Sequence, residues 1–259
     1  MNEIHEAFDN PKSLEVRAVF LDISKAFDKV WHKGILFKLK QNGISDQLLS
    51  LFESYLQNRK QRVALNGFHS DYMDIESGVP QGSVLGPLLF LVYINDLEQN
   101  IKSNVKFFAD DTMIFSVIKD PQTSADELYH DLEIINQWAF QWKMAFNPDP
   151  TKQATEVLFS CKRKEINHPQ LIFNGKPVDR VAEHKHLGII LQSNLSFENH
   201  IHDKMIIAKK NIGIIKHLNK FLPYASLNHM YKALVRSHLD YCDIIYHMPL
   251  IVHHPPLGT

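Results

Sequence analysis

The sequence predicts an α+β fold, and three observations carry that expectation. Short apolar runs rich in β-formers alternate with longer segments of helical periodicity. The short runs fall in pairs around turn residues, so antiparallel hairpins are mixed with helices. Apolar residues make up 44 % of the 259 and charged residues 22 %. That is enough apolar side chain for a core and too little charge for disorder.

The elements follow in order. Residues 1–13 are polar, show no core pattern and end near the break Asn10-Pro11. Residues 16–22 read as a buried strand. Helices are predicted over 34–41 and 45–57. Gly43 closes the first, and Ser45 caps the second, where Leu48, Leu49, Phe52, Tyr55 and Leu56 recur at helical spacing. Residues 61–65 and 72–77 flank Asn66-Gly67, a hairpin signal. Residues 78–82 (GVPQG) are loop chemistry, and an apolar helix is expected from about 84 to 100. Residues 105–108 and 112–117 are apolar arms around Asp110-Asp111, a strand–turn–strand pattern.

A long amphipathic helix then carries Leu128, Leu132, Ile135, Ala139 and Trp142 on one face. Strands are expected over 156–160, over 171–178 with a bend at Asn174-Gly175, and over 186–191. Helices fill 197–239, and the tail from 253 reads as unstructured. The predicted organisation is a main domain over 1–195, a small helical region over 196–247 and a tail over 248–259.

Composition excludes several classes. The longest apolar run, 87–94, is too short to span a bilayer, and nothing at the start resembles a secretory signal. The two cysteines, Cys161 and Cys242, lie far apart. They suit a reducing compartment, not a disulfide framework or a CxxC zinc pair. The fifteen histidines, His184, His186, His200 and His202 among them, lack cysteine partners at ligand spacing. Net charge is −1, but between 200 and 236 the basic residues Lys204, Lys209, Lys210, Lys216, Lys220, Lys232 and Arg236 face one acid, Asp203. That stretch is either a solvated helix face or a surface that tracks phosphates.

The chemistry rests on carboxylates. Asp22 ends an apolar strand, and Asp110 and Asp111 stand where a strand turns. Neighbours in a regular strand point to opposite faces, so two adjacent aspartates share a target only at a turn. Three carboxylates gathered near a core repel one another, and a divalent cation offsets that repulsion. Oxygen-only ligands suit Mg²⁺. A pair of such ions activates a hydroxyl and steadies a leaving phosphate. The other reading of these residues is a solvated turn and a cap.

At this point the residues carry a family. Phe20 through Val30 (FLDISKAFDKV) resembles motif A of reverse transcriptases. Residues 78–87 (GVPQGSVLGP) resemble motif B, and Phe108-Ala109-Asp110-Asp111 resembles motif C. Residues 147–152 after Trp142 are similar to motif D, and 184–188 to motif E. The style is that of jockey-like elements among the LINE-type, non-LTR retrotransposons, and the resemblance spans about 16–247.

The resemblance implies a polymerase palm with a ferredoxin-like sheet, followed by a helical thumb, acting as an RNA-directed DNA polymerase. Two Mg²⁺ ions, with Mn²⁺ as a substitute, would be held by Asp22, Asp110, Asp111 and the backbone carbonyl of Ile23. Lys25 and Ala26 would offer backbone N–H groups to the triphosphate. Phe27 would lie under the deoxyribose, and Gln81 and Gly82 beside the incoming nucleotide and template. Lys152 would be the general acid, and Lys204, Lys209, Lys210, Lys216 and Lys220 would meet nucleic acid. The implied partners are an RNA template, a DNA primer and deoxynucleoside triphosphates, in nucleus and cytoplasm, with no membrane. Only twenty-one residues precede Asp22, so the fingers and endonuclease segments of such elements are expected to be missing and the chain to be a fragment with little activity alone. The other expectation is a non-catalytic, nucleic-acid-binding remnant of a mobile element. Gln192 stands where similar elements often have Asp.

Overall fold

In a computed structural model, residues 6–7, 15–162 and 166–247 are described. The expectations for most of 1–13 and for the tail after 247 lie outside the described residues. The apolar run ahead of Asp22 forms β1 (Glu15–Asp22), buried at every position except Asp22. A strand so buried needs neighbours on both edges to satisfy its backbone. The elements that follow are a 3-10 turn (Ala26–Asp28), α1 (His32–Gln41), α2 (Asp46–Leu56), β2 (Lys60–Gln61), β3 (Ala64–Leu65), β4 (Phe68–His69), β5 (Met73–Asp74) and α3 (Leu85–Ile94). Then come β6 (Asn104–Phe108), β7 (Asp111–Ile118), α4 (Pro121–Gln141), α5 (Pro150–Gln153) and β8 (Ala154–Phe159). β9 (Ile172–Phe173), β10 (Lys176–Pro177) and β11 (Asp179–Arg180) close this part of the chain.

The main sheet runs β11-β8-β1-β7-β6, with β1 antiparallel to both β7 and β8 and with β11 parallel to β8. This is the mixed α+β class expected. Val19, Leu21 and Ile114 of the sheet share a core with Leu89, Phe90 and Tyr93 of α3 and Leu128, Leu132 and Ile135 of α4. At the other end of β1, Arg17 is fully buried and grips Glu156 of β8 through Nε at 2.8 Å and Nη2 at 3.1 Å. Arg180 donates to the same Glu156 from β11 at 2.9 Å. Two cations on one buried carboxylate offset the desolvation that a lone charge would suffer there.

Four expectations are corrected. The helix expected to 100 stops at Ile94 and gives way to turns. Asp96 explains the stop. Its carboxylate turns inward to Lys38 Nζ at 2.5 Å and Trp138 Nε1 at 2.8 Å. The arms around Asn66-Gly67 break into shorter ladders, β3 with β4 and β2 with β5. Asn66 and Gly67 have φ of 50° and 84°, the pattern of the tight turns that match strand twist. Asn174 and Gly175, at 52° and 70°, make a full hairpin turn between β9 and β10 instead of a bend. The strand expected over 186–191 is two, β12 (Glu183–His186) and β13 (Ile189–Gln192), reversed by Leu187 at φ 48° and Gly188 at φ 78°.

The chain divides into two compact units, Met1–Val181 and Ala182–Thr259. The boundary expected after 195 therefore falls inside the second unit. The cause is local, since the β12–β13 hairpin is tied to α6 (Glu198–Leu218). Asn199 donates to Glu183 at 2.5 Å through its side chain and to Gln192 Oε1 at 2.9 Å through its backbone. Helix α7 (Tyr224–Tyr231), a π-helical turn (Lys232–Arg236), α8 (Ser237–Asp240) and α9 (Ile244–His247) follow. No helix among the described residues is long and apolar enough to cross a membrane.

Candidate active site

The pairing of β1 with β7 sets Asp22 directly opposite Asp111. Directly opposed residues project from the same face, with Cβ atoms about 4.5–5.5 Å apart. Pairing of β6 with β7 sets Phe108 opposite Asp111, so Ala109 and Asp110 form the connecting turn. Ala109 has φ 54°, a left-handed conformation that costs a residue with a Cβ roughly 1 kcal/mol or more. The turn that two adjacent aspartates need to share a target is thus present and strained. Asp22 and Asp111 are exposed and Asp110 is half-buried.

The opposite flank of Asp22 is held by the segment after α4. Ile23 bridges Phe146, through Ser24 N–H donating to the Ala145 carbonyl at 2.9 Å and Asn147 N–H donating to the Asp22 carbonyl at 3.0 Å. Both bonds come from the neighbours of the bridging pair, so the bridge makes no claim on the Ile23 carbonyl. The Asn147 side chain also donates to Asp22 Oδ2 at 2.7 Å. Lys152, on the short helix α5, is exposed and pairs with Asp149 at 3.8 Å.

The loops carrying the other expected site residues are stitched together. Lys25 is exposed at φ 49°, and its carbonyl accepts from Asp28 N–H at 3.0 Å. Ala26 is buried, and the half-buried Phe27 stacks on Phe90 at 4.4 Å between ring centres. Val79 N–H donates to the Phe27 carbonyl at 2.8 Å, and Gly78 N–H to the Val30 carbonyl at 2.8 Å. Gln81 donates to Asp28 Oδ1 at 2.8 Å. Gly78 is required here. It has φ 93°, and a Cβ on it would meet the Asp28 backbone at 2.8 Å. Gly86 is required for a different reason, since a Cβ there would lie 2.4 Å from the Pro80 carbonyl oxygen. Gly82, at φ 76°, turns the chain just after Gln81 in open space.

A cleft of about 690 Å³ opens beside these loops, lined by Lys25, Asp28 and Gln81 together with Arg59, Lys60 and Gln61. The last three were not singled out from the sequence. The signal that marks them is the run Arg59-Lys60-Gln61-Arg62 just ahead of a hairpin.

The residues fit a hard divalent cation by type and by backbone placement. Every side-chain donor is oxygen, and Asp22 and Asp111 are opposed with Asp110 next to them on the turn. Among the described residues, no three His, Cys, Asp or Glu side chains are gathered closely enough to hold a metal ion. Bare carboxylates repel one another, and these stand at exposed or half-exposed positions. This also bears on the histidines. His184, pushed down to about 4 by burial and then by His186, joins no such group.

In the second unit, Lys204, Lys209, Lys210 and Lys216 lie on α6 and Lys220 just beyond it. Lys204 is half-exposed and the other four are exposed. Lys209 and Lys216, seven residues apart, share a helix face.

The opposed aspartates, the strained turn between β6 and β7 and the stitched loops all lie within the stretch that a family model matches. The family described as Reverse transcriptase (RNA-dependent DNA polymerase) matches residues 3–191, and the chain belongs to it. The LINE-type resemblance holds as well. The chain is 34 % identical over 190 residues to the RNA-directed DNA polymerase from mobile element jockey of Drosophila funebris, covering 70 % of this chain and 20 % of that one. It is 32 % identical over 208 residues to the probable RNA-directed DNA polymerase from transposon X-element of Drosophila melanogaster, covering 78 % of this chain and 22 % of that one. The chain thus spans about a fifth of the length of these relatives. A solved structure of Candida albicans telomerase with a fragment of telomeric RNA superposes at a TM-score of 0.48 and 12 % identity, over 95 % of this chain and 42 % of that one.

Proposed function

We propose that the chain is the palm and thumb part of an RNA-directed DNA polymerase of a LINE-type mobile element. It would extend a DNA primer on an RNA template with deoxynucleoside triphosphates. The first unit would be the palm and the helical second unit the thumb. The single observation that most supports this is Asp22 set opposite Asp111 across two strands, with Asp110 on the adjoining strained turn.

Asp22, Asp110, Asp111 and the Ile23 carbonyl would hold two Mg²⁺ ions, with Mn²⁺ able to replace them. Bound there, such ions supply the charge that activates a 3′-hydroxyl and steadies pyrophosphate as it leaves. The chain's own groups do the rest. Backbone N–H groups of Lys25 and Ala26 face the triphosphate. Phe27, fixed by its stack on Phe90, lies under the sugar and excludes a 2′-hydroxyl. Gln81 and Gly82 line the nucleotide and template. Lys152 gives a proton to pyrophosphate, and Lys204, Lys209, Lys210, Lys216 and Lys220 track phosphates of the duplex.

Primer extension on an RNA template tests the reading. In a complete element that carries this segment, the wild-type protein should extend with Mg²⁺ or Mn²⁺, and Asp110→Asn should abolish extension while RNA binding stays within a few-fold. Extension by Asp110→Asn at the wild-type rate would remove Asp110 from the chemistry.

A further inference from the structure

We infer that Asn147 is the positioning residue for Asp22. Its amide holds one carboxylate oxygen and would leave the other available to a cation. The inference rests on the polymerase reading above and adds a residue to it. Asn147 makes two bonds to the same aspartate, from its side-chain nitrogen to Oδ2 at 2.7 Å and from its backbone N–H to the Asp22 carbonyl at 3.0 Å.

The orientation of the amide is settled by its partners. Asn147 Oδ1 accepts from Asp149 N–H at 3.0 Å. A backbone N–H can only donate, and an ionised carboxylate can only accept. Nitrogen must therefore face Asp22, and oxygen must face the turn. The turn in question is the local loop that asparagine favours, in which the side chain reaches the backbone two residues on.

The segment behind the amide is anchored. Phe146 is buried and meets Phe173 edge-on at 4.8 Å, while its bridge to Ile23 continues the edge of β1. A side chain held at both ends of its amide, on a segment anchored by Phe146, cannot swing away from Asp22 without breaking those bonds. The neutrality of the amide also matters. A lysine at this position would offer the carboxylate a full positive charge and compete with a divalent ion for it. An amide orients Oδ2 by a charge-assisted hydrogen bond and leaves the negative charge in place. Asp111 lies across the opposite edge of β1, so Asp22 is held from one side and stands opposite a second acidic residue on the other.

Groups that orient a metal-binding side chain typically cost 10–100-fold in metal affinity when removed. The test is Mn²⁺ binding to the purified chain, read from the electron paramagnetic resonance of the free ion. It compares wild type, Asn147→Ala, Asn147→Ser and Asp22→Asn, each with the wild-type circular dichroism spectrum. Serine keeps a hydroxyl acceptor for the turn but is too short to reach Asp22, so it guards against a simple loss of folding. Both Asn147 variants should bind Mn²⁺ about 10–100-fold more weakly, and Asp22→Asn should lose the site. In primer extension by a complete element, both Asn147 variants should need proportionately more Mg²⁺ and recover near wild-type rates once saturated. A purely structural defect would instead depress the rate at every Mg²⁺ concentration. Wild-type Mn²⁺ binding by both Asn147 variants, with loss in Asp22→Asn, would overturn the role of Asn147 and leave the polymerase reading standing. Wild-type binding by Asp22→Asn would remove the carboxylate site itself, and the inference with it.

Discussion

Lys38 is a buried cation whose removal together with its partner charge, Asp96, should stabilise the protein. It is 5 % exposed on α1 and donates to Asp96 and to the Tyr93 carbonyl, each at 2.5 Å. Its ammonium lies 3.7 Å from the ring centre of Trp142, with Tyr93 and Trp138 at 4.9 and 5.0 Å. Burial outweighs these partners and lowers its pKa from 10.5 to about 8. At about 1.4 kcal/mol per unit, the charged form is disfavoured by roughly 3 kcal/mol relative to the unfolded chain. The unfolded chain holds more protons between pH 8 and 10.5. This group's contribution therefore raises stability as pH climbs through that window, and its full penalty is present below pH 8. Lys38→Met keeps the length of the side chain and removes the charge, and Asp96→Asn made with it removes the partner charge while leaving an amide oxygen to accept from Trp138 Nε1. The double variant loses the ion pair and the contact of the ammonium with the rings, so the expected gain at pH 7 is about 1–3 kcal/mol, in line with buried pairs replaced as a whole by neutral residues. The gain should fade as pH approaches 10. The assay is urea unfolding at pH 7, 8.5 and 9.5, read by the fluorescence of Trp138 and Trp142. Measurements stop below pH 10, because burial raises the Tyr93 pKa to about 12. The unfolded tyrosine would ionise first and lower stability above that point. A destabilised double variant, or a difference that does not change with pH, would refute the reasoning.

Two further outcomes are expected. Phe27→Ala removes the ring stacked on Phe90 and should raise incorporation of ribonucleotides relative to deoxyribonucleotides in primer extension. An unchanged ratio would return Phe27 to the core. Replacing Lys209, Lys210 and Lys216 with alanine should flatten the salt dependence of template–primer binding by roughly one slope unit for each phosphate that is no longer neutralised. An unchanged slope in a filter-binding titration would assign that face to solvent.

Much of the fold was legible because its signals are local. The apolar run before Asp22 could only be a buried strand, and the arms around Asp110-Asp111 could only meet by turning. Asn66-Gly67 announced a hairpin because both residues tolerate positive φ. What stayed hidden was decided at a distance or against type. Leu187 turns at φ 48°, a conformation its side chain resists, so the hairpin around it read as one strand. Helix α3 ends where Asp96 finds Lys38 and Trp138, partners far away in sequence. The same applies to the site. Its motifs are contiguous and could be named, but the register of Asp22 with Asp111 and the grip of Asn147 depend on which strands pair.

The position of β1 at the middle of the sheet also governs how the chain can mature. Its partners are residues 111–118 on one edge and 154–159 on the other. During synthesis, β1 leaves the ribosome with neither edge satisfied and waits on the order of ten seconds or more for the second partner. For that time at least one edge of an apolar strand stays open, the kind of element that joins to other chains. Such distant pairings also make closure slow once all the parts are present. The order of events follows from the order of residues. Asp22 can meet Asp111 when the first edge closes, but it is gripped by Asn147 only later. The acidic centre is therefore completed by one of the last steps of folding, and nascent chains stalled before residue 147 would carry its carboxylates without the means to hold Asp22 in place.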